Sequence, residues 1–416
     1  MLRILYVSVG YKPAYRIGGP VLSVSAAAEA LVRKGHRVTV VTTNANLDED
    51  LDVPVDQPVL VDGVEVLYFR REEFLRRWLP FVPYLSRSAG FLYAPHMAPY
   101  LDRLAPAADL IHTHLPYAYP TYVGARAARR FRKPLFYHQR GNFDPARLKF
   151  RAVKKWLYIW AVERPIMRSA TTLVALTEAE VRSYRALGIT TPCRVVPNGI
   201  DVAGYRLRPG SDIGARWHVR DDALVILFLG RLHPIKGAHR VIEAFLRLQT
   251  VNPRAILVMT GPDEWGLESA FRETIRQAGL AGRVVFPGMV AGDDKLDWLA
   301  RADLFCLPSD AEGFSMAVLE ALASATPVLL SPGCHFPEVE TVGAGRVVAP
   351  TPEALAAALA DMLALPERLK EMGRRGRQLV AEKYSWDTVA DQLIDAYGEG
   401  IERHRHDAQR LSGRVA

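Results

Sequence analysis

The chain has 416 residues, a length that favours two domains, each large enough to bury its own core. Its composition, 49% apolar and 24% charged, is that of a globular protein and excludes a disordered or membrane-spanning chain. The net charge of +8 invites a nucleic-acid hypothesis, whereas the 3 cysteines, without metal-ligand spacing, argue against disulfide and zinc roles.

The N-terminal segment predicts a strand at residues 3–9, a helix from about 20 to 34 and a strand at 37–43. Gly18 and Gly19, ahead of that helix, let the backbone approach a ligand closely, although many structural βα units have the same Gly-Gly loop. The absence of a G-x-G-x-x-G motif argues against a nicotinamide enzyme. Because the chain opens as a strand without a cleavage signal, and no run approaches about 18 uncharged apolar residues, we expect a cytoplasmic protein.

A basic segment spans residues 147–168, where 7 Lys and Arg residues stand against Glu163 alone. Apolar residues recur within it at helical spacing, at Phe150, Val153, Leu157 and Trp160. Three interpretations remain: a core-facing helix with a solvated basic side, contact with an anionic membrane surface, and nucleic acid, which no recognition motif supports. Residues 70–93 also mix arginines with aromatic residues, and exposed aromatics there would favour the membrane.

Residues 109–114, DLIHTH, predict a strand that ends in two histidines. His112 and His114 point to one face of a strand, as a metal-binding pair also would. No third ligand is evident nearby in the sequence. We therefore expect hydrogen-bonded histidines and no metal site.

Residues 134–145, PLFYHQRGNFDP, predict the next strand. His138 and Arg140 are two positions apart and are expected on one face of it. Asn142 and Asp144 follow as ligand contacts or as turn-forming residues.

A further strand is expected at residues 171–176, followed by a helix cap at Thr177 with Glu180 three positions later. Residues 195–200 complete the first domain, and 201–222 are the expected linker.

The second domain is expected to extend to residue 384. Its apolar segments predict strands at 224–229, 255–260, 283–286, 304–307 and 327–331, with helices between them. This alternation predicts an α/β fold with a doubly wound parallel sheet. A final helix from residue 385 to about 403 is expected to cross back onto the first domain, ahead of a frayed polar tail with His404 and His406.

Arg231 and Lys236 lie in LFLGRLHPIKG, residues 227–237, directly after a predicted buried strand. The carboxyl ends of strands are where open α/β sheets bind ligands. A guanidinium grips two phosphate oxygens, while an ammonium acts as a point charge. This segment therefore indicates an anion site.

Residues 307–338 predict a strand, an acidic loop, a helix from about residue 315 and a second strand. The first free N–H groups of that helix belong to residues such as Ser315 and Met316, and a helix start attracts anions. Glu312 lies in the loop and Glu320 about one and a half turns inside the helix. Two acceptors beside an anion site suit a sugar phosphate, although the bare spacing also fits a solvated acid plus an ordinary helix Glu.

Together these motifs resemble the retaining glycosyltransferases of family 4. The matching segments are GRL and KG within 230–237, TGP at 260–262, FPG at 286–288 and PSDAEGFSMAVLEALASATPV from 308. The resemblance covers most of the chain and implies the GT-B fold, in which two Rossmann-like doubly wound sheets face a central cleft. It implies an acceptor-binding domain, 1–200 with 385–416 crossing back, and a nucleotide-sugar-binding domain, 201–384.

The resemblance also implies residue roles. Glu312 would face the donor sugar, Glu320 would hold the nucleotide ribose, and Arg231 and Lys236 would neutralise the diphosphate. Residues 286–289 would contribute to the base pocket. The implied donor-binding set is Gly18, Gly19, Arg231, Lys236, Met289, Glu312, Gly313, Phe314, Ser315, Met316 and Glu320.

The chain departs from the family at Arg140. Family members usually place a His directly before a Gly there, whereas this chain has Arg140 before Gly141 and His138 two residues earlier. An Arg can support a leaving phosphate or bind an anionic acceptor, but it cannot shuttle protons as a His can. The catalytic candidates are Glu312, Arg231, Lys236, Arg140 and His138, and the acceptor-binding candidates are Asn142 and Asp144.

The implied activity is transfer of a hexose, with retention, from a UDP- or GDP-sugar to an acceptor hydroxyl, without a bound cofactor or metal. The expected acceptor is a glycan or lipid-linked molecule of polysaccharide or glycolipid biosynthesis. The protein would then be cytoplasmic or peripheral on the inner face of the membrane, through residues 147–168, and would bind no nucleic acid. The alternatives are a non-catalytic nucleotide-binding partner of another transferase, or another enzyme on this fold, such as a phosphorylase or a sugar-nucleotide epimerase.

Overall fold

The computed structural model describes residues 1–72, 91–143, 156–205, 211–249 and 252–412, without the side chains of 411 and 412. Asp144, residues 147–155 and most of the segment 70–93 therefore lie outside the described residues. The chain divides into two units. The first comprises Met1–Gly199 and the helix that begins at Trp386, and the second comprises Ile200–Ser385.

The first unit is built on a mostly parallel sheet. Its strands are β1 (Arg3–Val7), β2 (Arg37–Thr43), β3 (Ala45–Asn46), β4 (Glu49–Asp50), β5 (Pro58–Val61), β6 (Val64–Phe69), β7 (Leu110–His114), β8 (Leu135–His138), β9 (Thr172–Ala175) and β10 (Cys193–Val195). Over the described ranges, 8 of them form one sheet in the order β10-β9-β8-β7-β1-β2-β6-β5, with only the β5/β6 pair antiparallel. The strand order reverses between β1 and β7, so the carboxyl ends of these strands are a natural ligand site.

Helices cover both faces of this sheet. They span Gly19–Arg33, Met97–Leu104, Tyr119–Arg130, Arg164–Ser169, Glu178–Ala186 and Trp386–Ser412. Every residue of β7 and β8 is buried, as expected for parallel strands that are packed on both sides. The predicted cap at Thr177 is confirmed, because its side chain accepts the N–H of Glu180 at 3.3 Å.

The helix Trp386–Ser412 follows the second unit in the chain but packs into the core of the first. Val389, Leu393 and Tyr397 are buried there beside Tyr6 of β1. The predicted frayed tail is wrong, because the helix continues past residue 403 and includes His404 and His406. No Gly or Pro interrupts residues 401–412, so the helix has no local reason to stop.

The second unit is also a doubly wound parallel sheet, as predicted. Its strands are β11 (Leu224–Leu229), β12 (Ala255–Thr260), β13 (Val284–Gly288), β14 (Leu304–Leu307), β15 (Val328–Leu330) and β16 (Gly345–Val347). Where the chain is described, they lie in the order β13-β12-β11-β14-β15-β16. The strand β16 was not predicted, because three residues of mixed burial leave no apolar run. The order reverses between β11 and β14.

Helices again flank the sheet of the second unit. They span Ile213–Arg216, Ala238–Leu248, Leu267–Gln277, Gly292–Arg301, Met316–Ala323, Glu338–Thr341, Pro352–Leu363 and Pro366–Lys383. None of the helices in the described part of the chain has both the length and the apolar character needed to cross a bilayer.

The strand predicted over residues 134–145 is shorter than expected. It ends at His138, and Arg140 and Gly141 then adopt left-handed backbone conformations with φ of 55° and 78°. The prediction that His138 and Arg140 lie on one face of a strand is therefore wrong, since the alternation of side chains holds only within a strand.

Two glycines of the C-terminal helix provide a matched stability test. A Cβ at Gly400 would lie 2.4 Å from Cζ of Phe136, whereas a Cβ at Gly398 would meet no atom within 4 Å. We expect Gly398→Ala to raise the thermal midpoint, because Ala is favoured over Gly inside a helix by about 1 kcal/mol. We expect Gly400→Ala to lower it, because overpacking costs about 1–3 kcal/mol. Equal midpoints for the two variants in differential scanning fluorimetry would show that the helix does not pack against β8 in this way.

Candidate functional site

In the second unit, the loops that follow β11 and β14 are tied to each other. The two strands are parallel neighbours, so both loops leave the sheet at the same edge. The carbonyl of Ile235 accepts the N–H of Asp310 at 2.8 Å and the hydroxyl of Ser309 at 2.9 Å. A Cβ on Gly237, whose φ is 73°, would lie 2.3 Å from the carbonyl oxygen of Pro308. Glycine is therefore required where these loops touch.

These bonds bring Lys236 and Glu312 together. The Nζ of Lys236 lies 2.5 Å from Oε1 of Glu312, and the two side chains are only 15% and 6% exposed. The N–H of Glu312 is held by the carbonyl of Gly333 at 2.9 Å. The pair is thus a largely buried, charge-assisted contact at the carboxyl edge of the sheet.

Arg231 lies at the same edge but is more open to solvent. Its Nη1 donates to Oε2 of Glu264 at 2.8 Å, and both side chains are almost half exposed. Glu264 was not singled out from the sequence, since nothing in its loop indicates that it meets Arg231. An arriving phosphate would compete with this carboxylate for the guanidinium.

The helix Met316–Ala323 begins directly after the acidic loop. Its N-cap residue, Ser315, has φ −74° and ψ 115° and makes no side-chain cap. The first N–H groups of a helix have no partner within the helix. Those of Met316 and the residues that follow it can therefore donate to an anion.

Glu320 is buried within that helix and is paired. Its Oε1 accepts from Nζ of Lys295 at 2.9 Å and from the hydroxyl of Tyr205 at 3.0 Å. Arg377 in turn donates to the backbone carbonyl of Tyr205 and to that of Ala323. Lys295, Tyr205 and Arg377 come from separate and distant parts of the chain, so no sequence pattern indicates that they meet here.

The remaining predicted donor residues have different surroundings. Gly313 is buried, and the ring of Phe314 packs against Phe336 and Tyr384 with centroids 5.2 and 5.4 Å away. Met289, just after β13, is 76% exposed. Phe314 therefore anchors the loop through ring contacts, while the side chain of Met289 is exposed and can contact a ligand.

In the first unit, Gly18 and Gly19 begin the helix Gly19–Arg33. Gly18 has φ 92°, and a Cβ on either glycine would meet no atom within 4 Å. The space beside this helix start is therefore open to a ligand.

Arg140 lies beyond β8 and is held by neutral groups. Its Nη1 donates to Oγ of Ser23 at 2.8 Å and to Oδ1 of Asn198 at 3.0 Å. Burial lowers its pKa from 12.5 to about 10, which still leaves it charged at neutral pH. No carboxylate of the described residues forms an ion pair with it, so its charge is available to an anionic ligand.

Three buried histidines lie beside Arg140. The rings of His112 and His114 are 4.1 Å apart, and His138 is 5.8 Å from each. The third histidine was not evident from the sequence, because it is the in-register pairing of β7 and β8 that brings His138 opposite His114. Burial, as the main cause, lowers the pKa of all three well below the ordinary 6.5.

Neutral imidazoles at this spacing are a possible metal-ligand set, with potential ligand atoms within 4.8 Å of one another. The Nδ1 of His112 is already bonded to the hydroxyl of Tyr397 at 2.7 Å. However, the charge of Arg140 acts on all three rings and opposes a second cation. The electrostatics of this cluster therefore favour an uncharged or anionic neighbour over a metal ion.

Asn142 follows in the turn after β8. Its Nδ2 donates to the carbonyl of Gln139 at 2.7 Å, so it stabilises its own turn. The other acceptor candidate, Asp144, lies outside the described residues.

Family comparisons cover both units. Residues 18–199 match the family described as glycosyl transferase 4-like domain, and residues 213–379 match glycosyl transferases group 1.

Comparison with individual proteins supports the same family. The chain is 29% identical over 410 residues to a D-inositol 3-phosphate glycosyltransferase of Kineococcus radiotolerans, covering 92% of this chain and 91% of that protein. It is 30% identical over 309 residues, 71% of each protein, to D-inositol 3-phosphate glycosyltransferase 2 of Catenulispora acidiphila. The solved structure of Anabaena Alr3699/HepE in complex with UDP is similar in fold, with a TM-score of 0.72 over 96% of this chain and 100% of that one at 20% identity. The chain therefore belongs to family 4 of the glycosyltransferases and has the GT-B fold.

Proposed function

We propose that this glycosyltransferase moves a hexose, with retention of configuration, from a UDP- or GDP-sugar to an acceptor hydroxyl. The observation that carries the proposal is the buried pair of Lys236 and Glu312 beside the start of the helix Met316–Ala323. This arrangement places a cation, a carboxylate and a helix N-terminus at one edge of a sheet. A sugar diphosphate needs these three groups: two for its negative charge and one for its sugar hydroxyls.

Donor binding would rearrange the ion pairs. The diphosphate would draw Lys236 away from Glu312 and Arg231 away from Glu264. The carboxylate of Glu312 would then accept hydrogen bonds from the sugar. Because Arg231, Lys236 and the helix start supply the positive field, the leaving diphosphate is stabilised without a bridging metal ion.

Glu320 would bind the nucleotide ribose. Lys295 and Tyr205 both hold Oε1, and Oε2 makes no hydrogen bond to any described residue. This second oxygen is the one that would accept from a ribose hydroxyl. Gly313, Phe314, Ser315 and Met316 would contribute backbone N–H groups and shape, and Met289 would line the base pocket.

The first unit would bind the acceptor. Gly18 and Gly19 would allow close approach of a phosphate, and Arg140 would support the leaving group or an anionic acceptor. Arg140 stays protonated at neutral pH and cannot act as a base. His138 is neutral but only 3% exposed, so the leaving phosphate itself is the better acceptor for the proton of the attacking hydroxyl. Asn142 and Asp144 remain acceptor-binding candidates.

The named relatives narrow the substrates to test. Two of them are D-inositol 3-phosphate glycosyltransferases, which points to a phosphorylated polyol as one acceptor class, and the solved neighbour was bound to UDP. We infer a UDP-sugar as the first donor class. A role in polysaccharide or glycolipid biosynthesis would place the acceptor on a growing glycan or a lipid.

We also propose that the protein is cytoplasmic and binds the inner membrane face through the segment 147–168. In its described part, Trp156, Leu157 and Trp160 are 45%, 67% and 66% exposed, and Arg164 stacks on Trp160. The core contacts of this region come instead from Ile159 and Ile166. Exposed aromatic residues beside arginine suit an interface with anionic headgroups.

The donor assignment predicts nucleotide-dependent stabilisation with EDTA present. UDP or its sugar conjugates should stabilise the wild type by about 2.7 kcal/mol at about 100 times the dissociation constant. Lys236→Met should lose most of this shift, because the diphosphate loses a charged hydrogen bond, whereas Lys370→Met, at a side chain 71% exposed, should keep it. Equal shifts in both variants, or none with UDP, GDP or ADP even after magnesium is added, would contradict the assignment.

The sugar-binding role of Glu312 predicts a split between binding and turnover. Glu312→Gln should lower kcat/KM for transfer by about 10- to 100-fold, the value of one charged hydrogen bond. Its dissociation constant for bare UDP, measured by calorimetry, should stay within about threefold of wild type. The control is Glu367→Gln, at a side chain 86% exposed. Equal losses in transfer and UDP affinity would move Glu312 from the sugar to the nucleotide.

The membrane proposal predicts a charge- and surface-specific effect. Trp160→Glu should reduce co-sedimentation with vesicles of anionic phospholipid about tenfold, since it removes an apolar contact and adds a repelled charge. Leu60→Glu introduces the same charge at a leucine 77% exposed on β5 and should sediment like the wild type. UDP stabilisation should be unchanged in both. Failure of the wild-type protein to co-sediment with these vesicles at low salt would contradict the membrane proposal.

A further inference from the structure

A buried carboxylate lies beneath the loops that follow β7 and β8. Glu163 has no exposed surface, and both of its oxygens accept hydrogen bonds. Its Oε1 accepts the backbone N–H of Tyr117 at 2.7 Å, and its Oε2 accepts the hydroxyl of Tyr137 at 2.6 Å. Glu163 is not among the residues proposed for donor binding, acceptor binding or catalysis.

Glu163 also lies in unusual backbone. It ends the π-helical turn Ile159–Glu163, which sits between ordinary helical residues at 156–158 and 164–169. Such turns are rare and concentrate at functional sites. Within this one, Ile159 and Glu163 face the core while Trp160 faces solvent.

The loop that Glu163 holds is strained. Leu115 and Tyr117 have φ of 70° and 63°, a conformation that costs bulky residues free energy. Two hydrogen bonds keep them there: the N–H of Leu115 donates to the carbonyl of His138 at 2.9 Å, and the N–H of Tyr117 donates to Glu163. The loop starts at the carboxyl end of β7, where this sheet is expected to meet ligands.

Contacts connect this loop to the acceptor-side segment. The ring of Tyr117 meets Phe143 edge to face with centroids 5.8 Å apart. The N–H of Phe143 donates to Oε1 of Gln139 at 2.6 Å, which closes the turn that carries Arg140 and Asn142. A change at Glu163 therefore reaches that turn through Tyr117 and Phe143.

Stability does not explain a carboxylate at this position. Burial raises the pKa of Glu163 from 4.5 to about 7 against the lowering effect of its two hydrogen bonds. The described titratable side chains that face it are tyrosines, Tyr117, Tyr137, Tyr158 and Tyr184, so no cation offsets its charge. Its contribution to stability is complete below pH 4.5 and is lost as the pH rises through about 7. A glutamine of the same shape would avoid that loss.

We propose that Glu163 is a positioning residue for the transfer reaction. It holds the loop 115–118, and through it the turn 139–143, in the geometry that presents Arg140 and Asn142 to the acceptor. This rests on the proposed function.

The contact itself is tested by hydrogen exchange of a peptide covering residues 115–119. Glu163→Ala should speed exchange at the amide of Tyr117 at least about tenfold, because the hydrogen bond is lost. Glu163→Gln keeps a carbonyl oxygen in place and should remain close to wild type. The control is Glu178→Gln, an exposed glutamate at the start of a neighbouring helix. This measurement requires no activity.

The positioning role is tested by kinetics from pH 6 to 9, with D-inositol 3-phosphate as acceptor and UDP-glucose as donor, and donor hydrolysis followed in parallel. At pH 6 the wild type and Glu163→Gln should have equal kcat/KM for the acceptor. At pH 8 the kcat/KM of the wild type should be about fivefold higher than at pH 6, because the ionised carboxylate of Glu163 accepts a stronger hydrogen bond than its neutral form does. Glu163→Gln should show no rise, and the KM for the donor should be unchanged.

Unchanged exchange at 115–119 in Glu163→Ala, or the same pH profile for wild type and Glu163→Gln, overturns the proposal. If the wild type turns over neither substrate, the proposed transfer fails, and with it any role for Glu163 in that transfer. The exchange result then still decides whether Glu163 holds the loop. The two failures are therefore distinguishable.

Discussion

The second unit depends on one contact between backbones, the meeting of the loops after β11 and β14. The carbonyl of Ile235 binds the neighbouring loop twice, and the absence of a side chain at Gly237 allows the approach. This contact helps to bring Lys236 and Glu312 together in a largely buried place, with Nζ and Oε1 2.5 Å apart. A buried pair gains little over apolar packing, whereas either charge alone would be costly. Each side chain of the pair therefore offsets the cost that burying the other charge alone would carry.

The first unit arranges its polar groups differently. Its partly buried cation, Arg140, donates to a hydroxyl and an amide oxygen and lies beside three neutral imidazoles. No described carboxylate neutralises it, so an incoming anion would meet an unshared charge. In the second unit the cations Lys236 and Arg231 are instead paired with Glu312 and Glu264, which an anion binding there would have to displace. One unit thus offers a charge that is already free, and the other offers charges that must be released.

Sequence patterns were sufficient for the features that depend on local chemistry. Continuous apolar runs placed β11, β12 and β14, and the Thr177 cap followed from side-chain spacing. Features that depend on pairing between distant segments were missed: His138 joins the histidines of β7 because two strands align, and Lys295 reaches Glu320 from another helix. The strand predicted over residues 134–145 ends at His138, because Arg140 and Gly141 adopt left-handed backbone conformations that the sequence pattern did not indicate. Short strands such as β16 carry too few residues for any periodicity.

The helix Trp386–Ser412 gives the chain an order of assembly. It contributes Val389, Leu393 and Tyr397 to the core of the first unit, although it is synthesised after the whole of the second unit. The second unit, Ile200–Ser385, is continuous in sequence and has all of its strands before that point. On the ribosome the second unit can therefore complete its sheet while the core of the first unit still lacks the residues of this helix. Until this helix emerges, β1 exposes the apolar surface that the helix covers. The first unit, although most of it is synthesised earlier, therefore becomes stable after the second.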